Sequence, residues 1–260
     1  MGGAIAVFLR DSLDPGTVMQ VETKEDIARR WQYFLEGKPD FVKVNLLQSE
    51  RFEQMRNDPK LKGNKGIDPK LIPEIVRLAH EAGLEVSAHV FTAFDFRAAL
   101  EGGVDQIAHL PGGRSSNPAP FLLTDDDAVL AAKKKVTIVT TVSQHGDSAV
   151  TDRLVKSQYT HNIQVLRKHN VPLLLGSDVF GGTAATEFAA LGRSGLFSNL
   201  ELLRLWSVTT PQAIFPKRKI GSLAPGYEAS FLVLRGDPLA DWRATREIRM
   251  RVKQGHVVKR

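Results

Sequence analysis

The sequence predicts an α/β fold in which parallel strands alternate with helices, followed by a smaller group of strands near the C-terminal end. Short apolar runs with few polar positions predict strands that are covered on both faces. Amphipathic stretches with helical start and stop signals lie between these runs. Repeated alternation of this kind requires crossover helices and a parallel sheet, either open or closed into a barrel.

The individual elements follow from local signals. Thr23 can cap the first helix, which Gly37 would end, and Asp68 followed by proline is a typical start of the second. The predicted parallel strands are 41–47, 84–90, 104–110, 136–142 and 171–179. The predicted helices are 24–36, 68–83, 92–102, 126–134, 150–169 and 199–206.

After residue 216 the sequence becomes rich in turns and short strands, predicted at 229–234, 248–252 and 256–258. We therefore expect two domains, a partial barrel over 1–216 and a β-strand appendage over 217–260.

Composition excludes several classes of protein. The 260 residues carry a formal charge of +6, and the appendage alone has eleven basic and four acidic residues. These charges form no long run and accompany no nucleic-acid motif, so a solvated surface is favoured over a nucleic-acid partner. No window reaches the roughly 18 apolar residues of a membrane span. The absence of cysteine excludes disulfides and thiolate chemistry but leaves the compartment open.

Three candidate metal ligands lie at or near the carboxyl ends of predicted strands, namely His89, His109 and Asp178. In βα folds this end of the sheet is the functional edge. Neutral imidazoles from adjacent strand ends can share one divalent metal. Alternatives remain open, because backbone partners can satisfy the histidines and Asp178 can cap the next helix.

Lys43 lies inside the first of these strands, and alternation places it on the same side as Asn45. A lysine facing a barrel interior must deprotonate, pair or be chemically changed. Reaction with CO₂ would convert it into an anionic carbamate ligand. Two alternatives are an edge-strand lysine that extends into solvent and a Schiff-base amine in a metal-free enzyme.

Together these residues resemble the metal-dependent amidohydrolase superfamily, specifically its imidazolonepropionase-like and prolidase-like branch with a carboxylated lysine. The resemblance extends from about residue 21 to the C-terminus. It rests on six stretches: DFVKV at 40–44, EVSAHV at 85–90, GGVDQIAH at 102–109, LLGSD at 174–178, TTPQA at 209–213 and IGSLAPGYEASFLVL at 220–234.

The resemblance implies a (β/α)₈ TIM-like barrel in which Lys43, His89, His109 and Asp178 end strands four, five, six and eight. It implies one or two divalent metal ions, with Zn²⁺ expected, and a CO₂-derived carbamate on Lys43. It also makes Asp178 catalytic, taking a proton from the metal-bound water and passing it to the leaving group. The implied reaction is hydrolysis of a C–N bond in an amide, cyclic amide or dipeptide-like small molecule.

The chain lacks the His-x-His pair that ends the family's first strand. We therefore expect an incomplete barrel, the C-terminal portion of an amidohydrolase, with half of a composite β-sandwich after residue 216. Exposed strand edges would favour a homo-oligomer or association with the missing N-terminal portion. The alternative function is a catalytically inactive remnant that binds a metal or a partner.

Two further residues are weaker candidates for substrate contact. His145 follows the fourth predicted strand, and Arg114 lies on the loop after His109, where it could pair with a substrate carboxylate. In both cases a role without substrate is the stronger expectation.

Overall fold

The computed structural model describes residues 5–8, 18–58, 60, 66–145, 153–179 and 181–259. The chain divides into two compact units, the first comprising Met1–Val139 and Leu154–Pro172 and the second Thr140–Arg153 and Leu173–Arg260. The predicted α/β fold with a parallel sheet and a small antiparallel sheet is confirmed. The domain boundary at residue 216 and the incomplete barrel stay predictions.

The first unit is built on a parallel sheet. Its strands are β1 (Ile5–Phe8), β2 (Val18–Gln20), β3 (Val42–Asn45), β4 (Val86–His89), β5 (Gln106–Ile107) and β6 (Thr137–Val139). Within this unit the strands lie in the order β2-β1-β3-β4-β5-β6, and each pair is parallel. The hydrogen-bonded strands are shorter than the apolar runs that predicted them.

Helices lie between these strands along the chain, and the last helix of the unit follows β6. They are α1 (Lys24–Glu36), α2 (Phe52–Met55), α3 (Ile72–Glu81), α4 (Ala93–Gly102), α5 (Asp125–Lys134) and α6 (Arg153–Lys168). Three of them begin with a threonine capping box, in which a threonine and the aspartate three residues later satisfy each other's backbone N–H groups. The predicted first helix is confirmed to the residue, with Thr23 as its N-cap.

The two faces of the central sheet differ sharply in polarity. The alternation within each strand gives one face of fully buried apolar side chains. These are Val42, Val44, Val86, Ala88, Ile107 and Ile138, each 0% exposed. The opposite face is polar, and the register aligns Lys43 with Ser87, Asn45 with His89, and Ser87 with Gln106. Burial of the apolar face thereby fixes which side the polar side chains take.

The described part of the second unit contains a short strand, three helices and an antiparallel sheet. Its elements are β7 (Leu173–Leu174), α7 (Ala184–Ser194), α8 (Asn199–Arg204), α9 (Thr210–Ile214), β8 (Phe231–Leu234), β9 (Ile248–Lys253) and β10 (His256–Val257). A π-helical turn joins α8 to α9. The sheet has the order β10-β9-β8. Thr210 has a structural role, because its hydroxyl accepts a hydrogen bond from the Leu175 amide at 2.9 Å, just beyond β7.

Among the described residues, no helix is both long enough and apolar enough to cross a lipid bilayer.

Candidate metal centre

Lys43 and His89 come from neighbouring strands on the polar face of the first unit. Lys43 lies on β3, which is paired with β1 on one side and β4 on the other, so the edge-strand alternative is wrong. The Leu46 amide donates to the His89 carbonyl at 3.0 Å, which continues the β3–β4 ladder past the strand end. Both side chains are half-buried.

His109 reaches this face because β5 ends early. Strict alternation in the predicted strand 104–110 would put His109 on the same side as Ile107, away from the polar face. The strand instead ends at Ile107, and His109 lies in a bend two residues later. Its buried ring meets that of His89 edge to face, with the ring centroids 4.7 Å apart and an interplanar angle of 71°.

The electrostatics favour a neutral imidazole at His89. Burial, and then the positive charge of Lys43, lower the pKa of His89 from 6.5 to about 4, while the negative charge of Asp95 opposes them. His89 is therefore neutral at pH 7, with a lone pair available to a metal.

Buried polar side chains hold the loops beyond these strands. The carboxylate of Asp95, on α4, is 0% exposed and accepts backbone N–H groups from the loops that follow β3 and β4. On α6, Asn162 accepts from the Leu123 amide and donates to the carbonyls of Pro111 and Phe121. The Gln158 amide makes two hydrogen bonds with the backbone of Gly113. These hydrogen bonds hold the loop after His109. Arg114, which follows Gly113 in this loop, is exposed.

Asp178 belongs to the second unit, where it is exposed and has a left-handed backbone (φ 47°). Thr183 is the N-cap of α7, so the helix-cap alternative for Asp178 is wrong. The carboxylate of Glu187 lies beneath this region and accepts hydrogen bonds from the Thr140 hydroxyl and from the amides of Val142 and Ser143, at 2.5, 2.9 and 2.7 Å.

The side-chain hydroxyl of Ser143 donates to the Ser177 carbonyl at 3.2 Å. Ser143 therefore links the Glu187 carboxylate to the backbone of Ser177, the residue before Asp178. Burial raises the pKa of Glu187.

Comparisons with known proteins identify the family and the relatives of this chain. The profile of the amidohydrolase family matches residues 48–258, which is most of the chain. The chain belongs to the amidohydrolase family. In sequence this amidohydrolase is 25% identical to an ochratoxinase from Aspergillus niger over 186 residues, covering 69% of the chain and 38% of that protein. The chain thus spans well under half the length of the curated relatives it matches.

Solved structures share the fold. A prolidase complexed with N-methylphosphonate-L-proline superimposes with a TM-score of 0.72 at 20% identity, over 100% of this amidohydrolase and 68% of that chain. The A. niger ochratoxinase gives 0.69 at 19% identity, over 99% and 65%. A Xaa-Pro dipeptidase with bound methionine gives 0.69 at 17% identity, over 99% and 66%. At these identities the likeness concerns the fold alone.

Amidohydrolases generally use divalent metals, and the donor chemistry of the first unit fits one. Two imidazoles are in contact and one is held neutral, and a lysine whose charge acts on that imidazole can become a carbamate. Within the described ranges, no cluster of three or more His, Cys, Asp or Glu side chains is placed to hold a metal ion.

Sequence reasoning missed the buried carboxylates and amides that hold the loops, namely Asp95, Gln158, Asn162 and Glu187. Only Asp95 had a visible signal, because it completes a capping box with Thr92. The side chain of His145 lies outside the described residues, so the expectation that it has no role toward substrate stays a prediction. No substrate contact is assigned to Arg114.

Proposed function

We propose that this amidohydrolase supplies a divalent-metal centre for the hydrolysis of amide bonds. The observation that carries the proposal is the contact between the His89 and His109 rings, with His89 held neutral beside Lys43. Neutral imidazoles buried at strand ends are typical ligands of Zn²⁺. Membership in the family supports a hydrolytic reaction.

Each residue has a distinct proposed role. His89 and His109 would bind Zn²⁺ through ring nitrogens, and Lys43 would bind it as a carbamate formed with CO₂. A bound divalent ion would supply Lewis-acid activation of water near neutral pH. Asp178 would act as the proton carrier that serves the leaving amine.

The proposed substrate class is a small molecule with a hydrolysable C–N bond, in an amide, cyclic amide or dipeptide. The names of the related proteins, ochratoxinase and prolidase, favour such substrates. Specificity would come from the loops beyond the strands, since these lie at the functional edge of a βα fold. In the first unit, the loop after His109 is one of them and is held by Gln158 and Asn162.

The test begins with metal content. The chain purified without chelator and supplied with Zn²⁺ and bicarbonate should bind about one equivalent of Zn²⁺. His89→Ala, His109→Ala and Lys43→Met should each lose most of this binding. The matched control is His80→Ala, because His80 lies on the exposed side of α3 and pairs with Asp105. Omitting bicarbonate should weaken binding by the wild type and leave Lys43→Met unchanged.

Turnover is then assayed on a panel of N-acyl amino acids, Xaa-Pro dipeptides and cyclic amides. Hydrolysis that is lost in Asp178→Asn supports the enzyme. Zinc binding without turnover of any panel member would favour the alternative of a metal-binding module without catalysis. Failure of the wild type to bind Zn²⁺ would overturn the proposed centre.

A further inference from the structure

Asp95 joins two loops that are distant in sequence. Its Oδ1 accepts the Ser49 amide at 2.7 Å, and its Oδ2 accepts the amides of Gln48, Phe91 and Thr92, each at 3.0 Å. The first two donors follow β3, which carries Lys43, and the last two follow β4, which ends at His89. One fully buried carboxylate therefore binds both loops at once.

From this arrangement we infer that Asp95 is a positioning residue, which sets the spacing between the strand ends that carry Lys43 and His89. The inference rests on the proposed role of those two residues as metal ligands. Four N–H groups satisfy most of the acceptor capacity of a carboxylate. The carboxylate thereby acts as a rigid link between two backbone segments.

The loop after β3 depends on this link. Gln48 has a left-handed backbone (φ 49°), which a residue with a side chain adopts only when its surroundings hold it there. The buried hydroxyl of Ser49 has no hydrogen-bond partner within the described part of the chain. The loop is therefore held by Asp95, which accepts its backbone amides, and by the Glu50 carboxylate, which accepts from the Thr92 hydroxyl at 3.1 Å, rather than through the Ser49 side chain.

Helix capping alone does not explain these contacts. Asp127 has the same place in the capping box of α5 and is also buried, at 1% exposure. Its carboxylate binds its own cap residue, Thr124, and the guanidinium of Arg97. A buried capping aspartate can thus complete its bonding without spanning two strand ends, so Asp127 provides a matched control.

The substitution Asp95→Asn separates capping from positioning. Asparagine keeps the size of the side chain and one acceptor oxygen, but its NH₂ group replaces the other acceptor and faces backbone donors. It cannot satisfy all four donors. Either the Ser49 amide or the amides of Gln48, Phe91 and Thr92 lose their acceptor, depending on which position the remaining oxygen takes, and we expect the strand ends to move apart.

The experiment uses the full chain and two measurements. Amide hydrogen exchange should show slow exchange at Gln48 and Ser49 in the wild type, and exchange at one or both loops should accelerate at least tenfold in Asp95→Asn. Titration with Co²⁺ in bicarbonate should show at least tenfold weaker binding and an altered visible absorption spectrum. Asp127→Asn should accelerate exchange at the start of α5 and leave the Co²⁺ spectrum unchanged.

The two hypotheses fail in different ways. Wild-type protein that binds no Co²⁺ overturns the proposed function, whereas unchanged exchange at both loops in Asp95→Asn overturns the link itself. Equal weakening of Co²⁺ binding in Asp95→Asn and Asp127→Asn overturns the positioning role, since general destabilisation would then explain it. If Asp95→Asn does not fold, the wild type decides: exchange at Gln48 and Ser49 as fast as in an unprotected loop overturns the inference.

Discussion

The positive charge of Lys43 acts directly on the imidazole of His89. It is the second cause, after burial, of a pKa that falls from 6.5 to about 4. A cationic amine beside a metal ligand would oppose the binding of a cation, whereas a carbamate would favour it. As an ammonium, Lys43 therefore adds to the effect of burial that keeps His89 neutral, and as a carbamate it would become a ligand.

Removal of that charge should raise the pKa of His89. In metal-free protein, Lys43→Met should move it from about 4 part of the way toward 6.5, because burial remains. Histidine NMR across pH 3 to 8 measures this shift. A His89 pKa that stays at about 4 in Lys43→Met would contradict the electrostatic link.

The depressed pKa of His89 also predicts the pH dependence of folding. Between pH 4 and 6.5 the unfolded chain binds a proton at this residue that the folded chain does not. Stability should therefore rise with pH through this window and be lost as pH falls toward 4. We expect about 2 kcal/mol from His89, allowing for its partial exposure. Urea denaturation of wild type and His89→Gln at several pH values isolates the contribution, and a parallel pH dependence in both would refute it.

Glu187 should make the folding stability depend on pH in the opposite direction. Its pKa is raised by burial, so above the ordinary carboxyl range the folded chain holds a proton that the unfolded chain has released. Stability relative to Glu187→Gln should therefore fall as pH rises through the window between the ordinary and the raised pKa. Denaturation curves at successive pH values measure the difference, and a relative gain for wild type as pH rises would contradict the assignment.

Asn162 should be costly to remove. Asn162→Ala leaves the Leu123 amide and the carbonyls of Pro111 and Phe121 buried without their partner. We expect a loss of about 2–4 kcal/mol in the free energy of unfolding and faster amide exchange in the loop after His109. Asn199→Ala is the control, since that half-buried side chain also donates to two carbonyls, through hydrogen bonds that are exposed. Equal costs at the two sites would count against the buried network.

Close packing between α3 and α4 makes a further prediction. A Cβ added at Gly102 would lie 2.8 Å from the Cβ of Ile72, closer than such atoms approach. Gly102→Ala should cost about 1–3 kcal/mol through overpacking. Ile72→Ala makes space, so the double variant should be more stable than the sum of the two single effects predicts. Simple additivity in denaturant unfolding would exclude the clash as the cause.

Local chemistry explains what the sequence could predict. The first helix was predicted to the residue because Thr23 and Gly37 mark its ends. Strand length was overestimated because an apolar run continues beyond its hydrogen bonds, as in 104–110, where only Gln106–Ile107 forms the strand. The helix α7 was not predicted, because glycines precede it and its buried face includes alanines and the carboxylate of Glu187.

Long-range hydrogen bonds explain what the sequence could not predict. The histidines and Lys43 were visible because each stands out in an apolar run. The partners of Asp95 in the loop after β3 lie more than 40 residues away, and no spacing rule connects them. Asn162 and Gln158 likewise look like ordinary polar positions of an amphipathic helix, although both are 0% exposed.

The alternation within β3 has an evolutionary consequence. Val42 and Val44 are buried on the apolar face of the sheet. Lys43, which lies between them in the sequence, is on the polar face. Deleting or inserting one residue here would exchange the two sides, placing an ammonium group among hydrocarbons and valines among the imidazoles. Point substitutions can change the side chains of one face without the other, but a change of length in this strand would disrupt both faces. Natural variants should therefore carry insertions and deletions only outside β3.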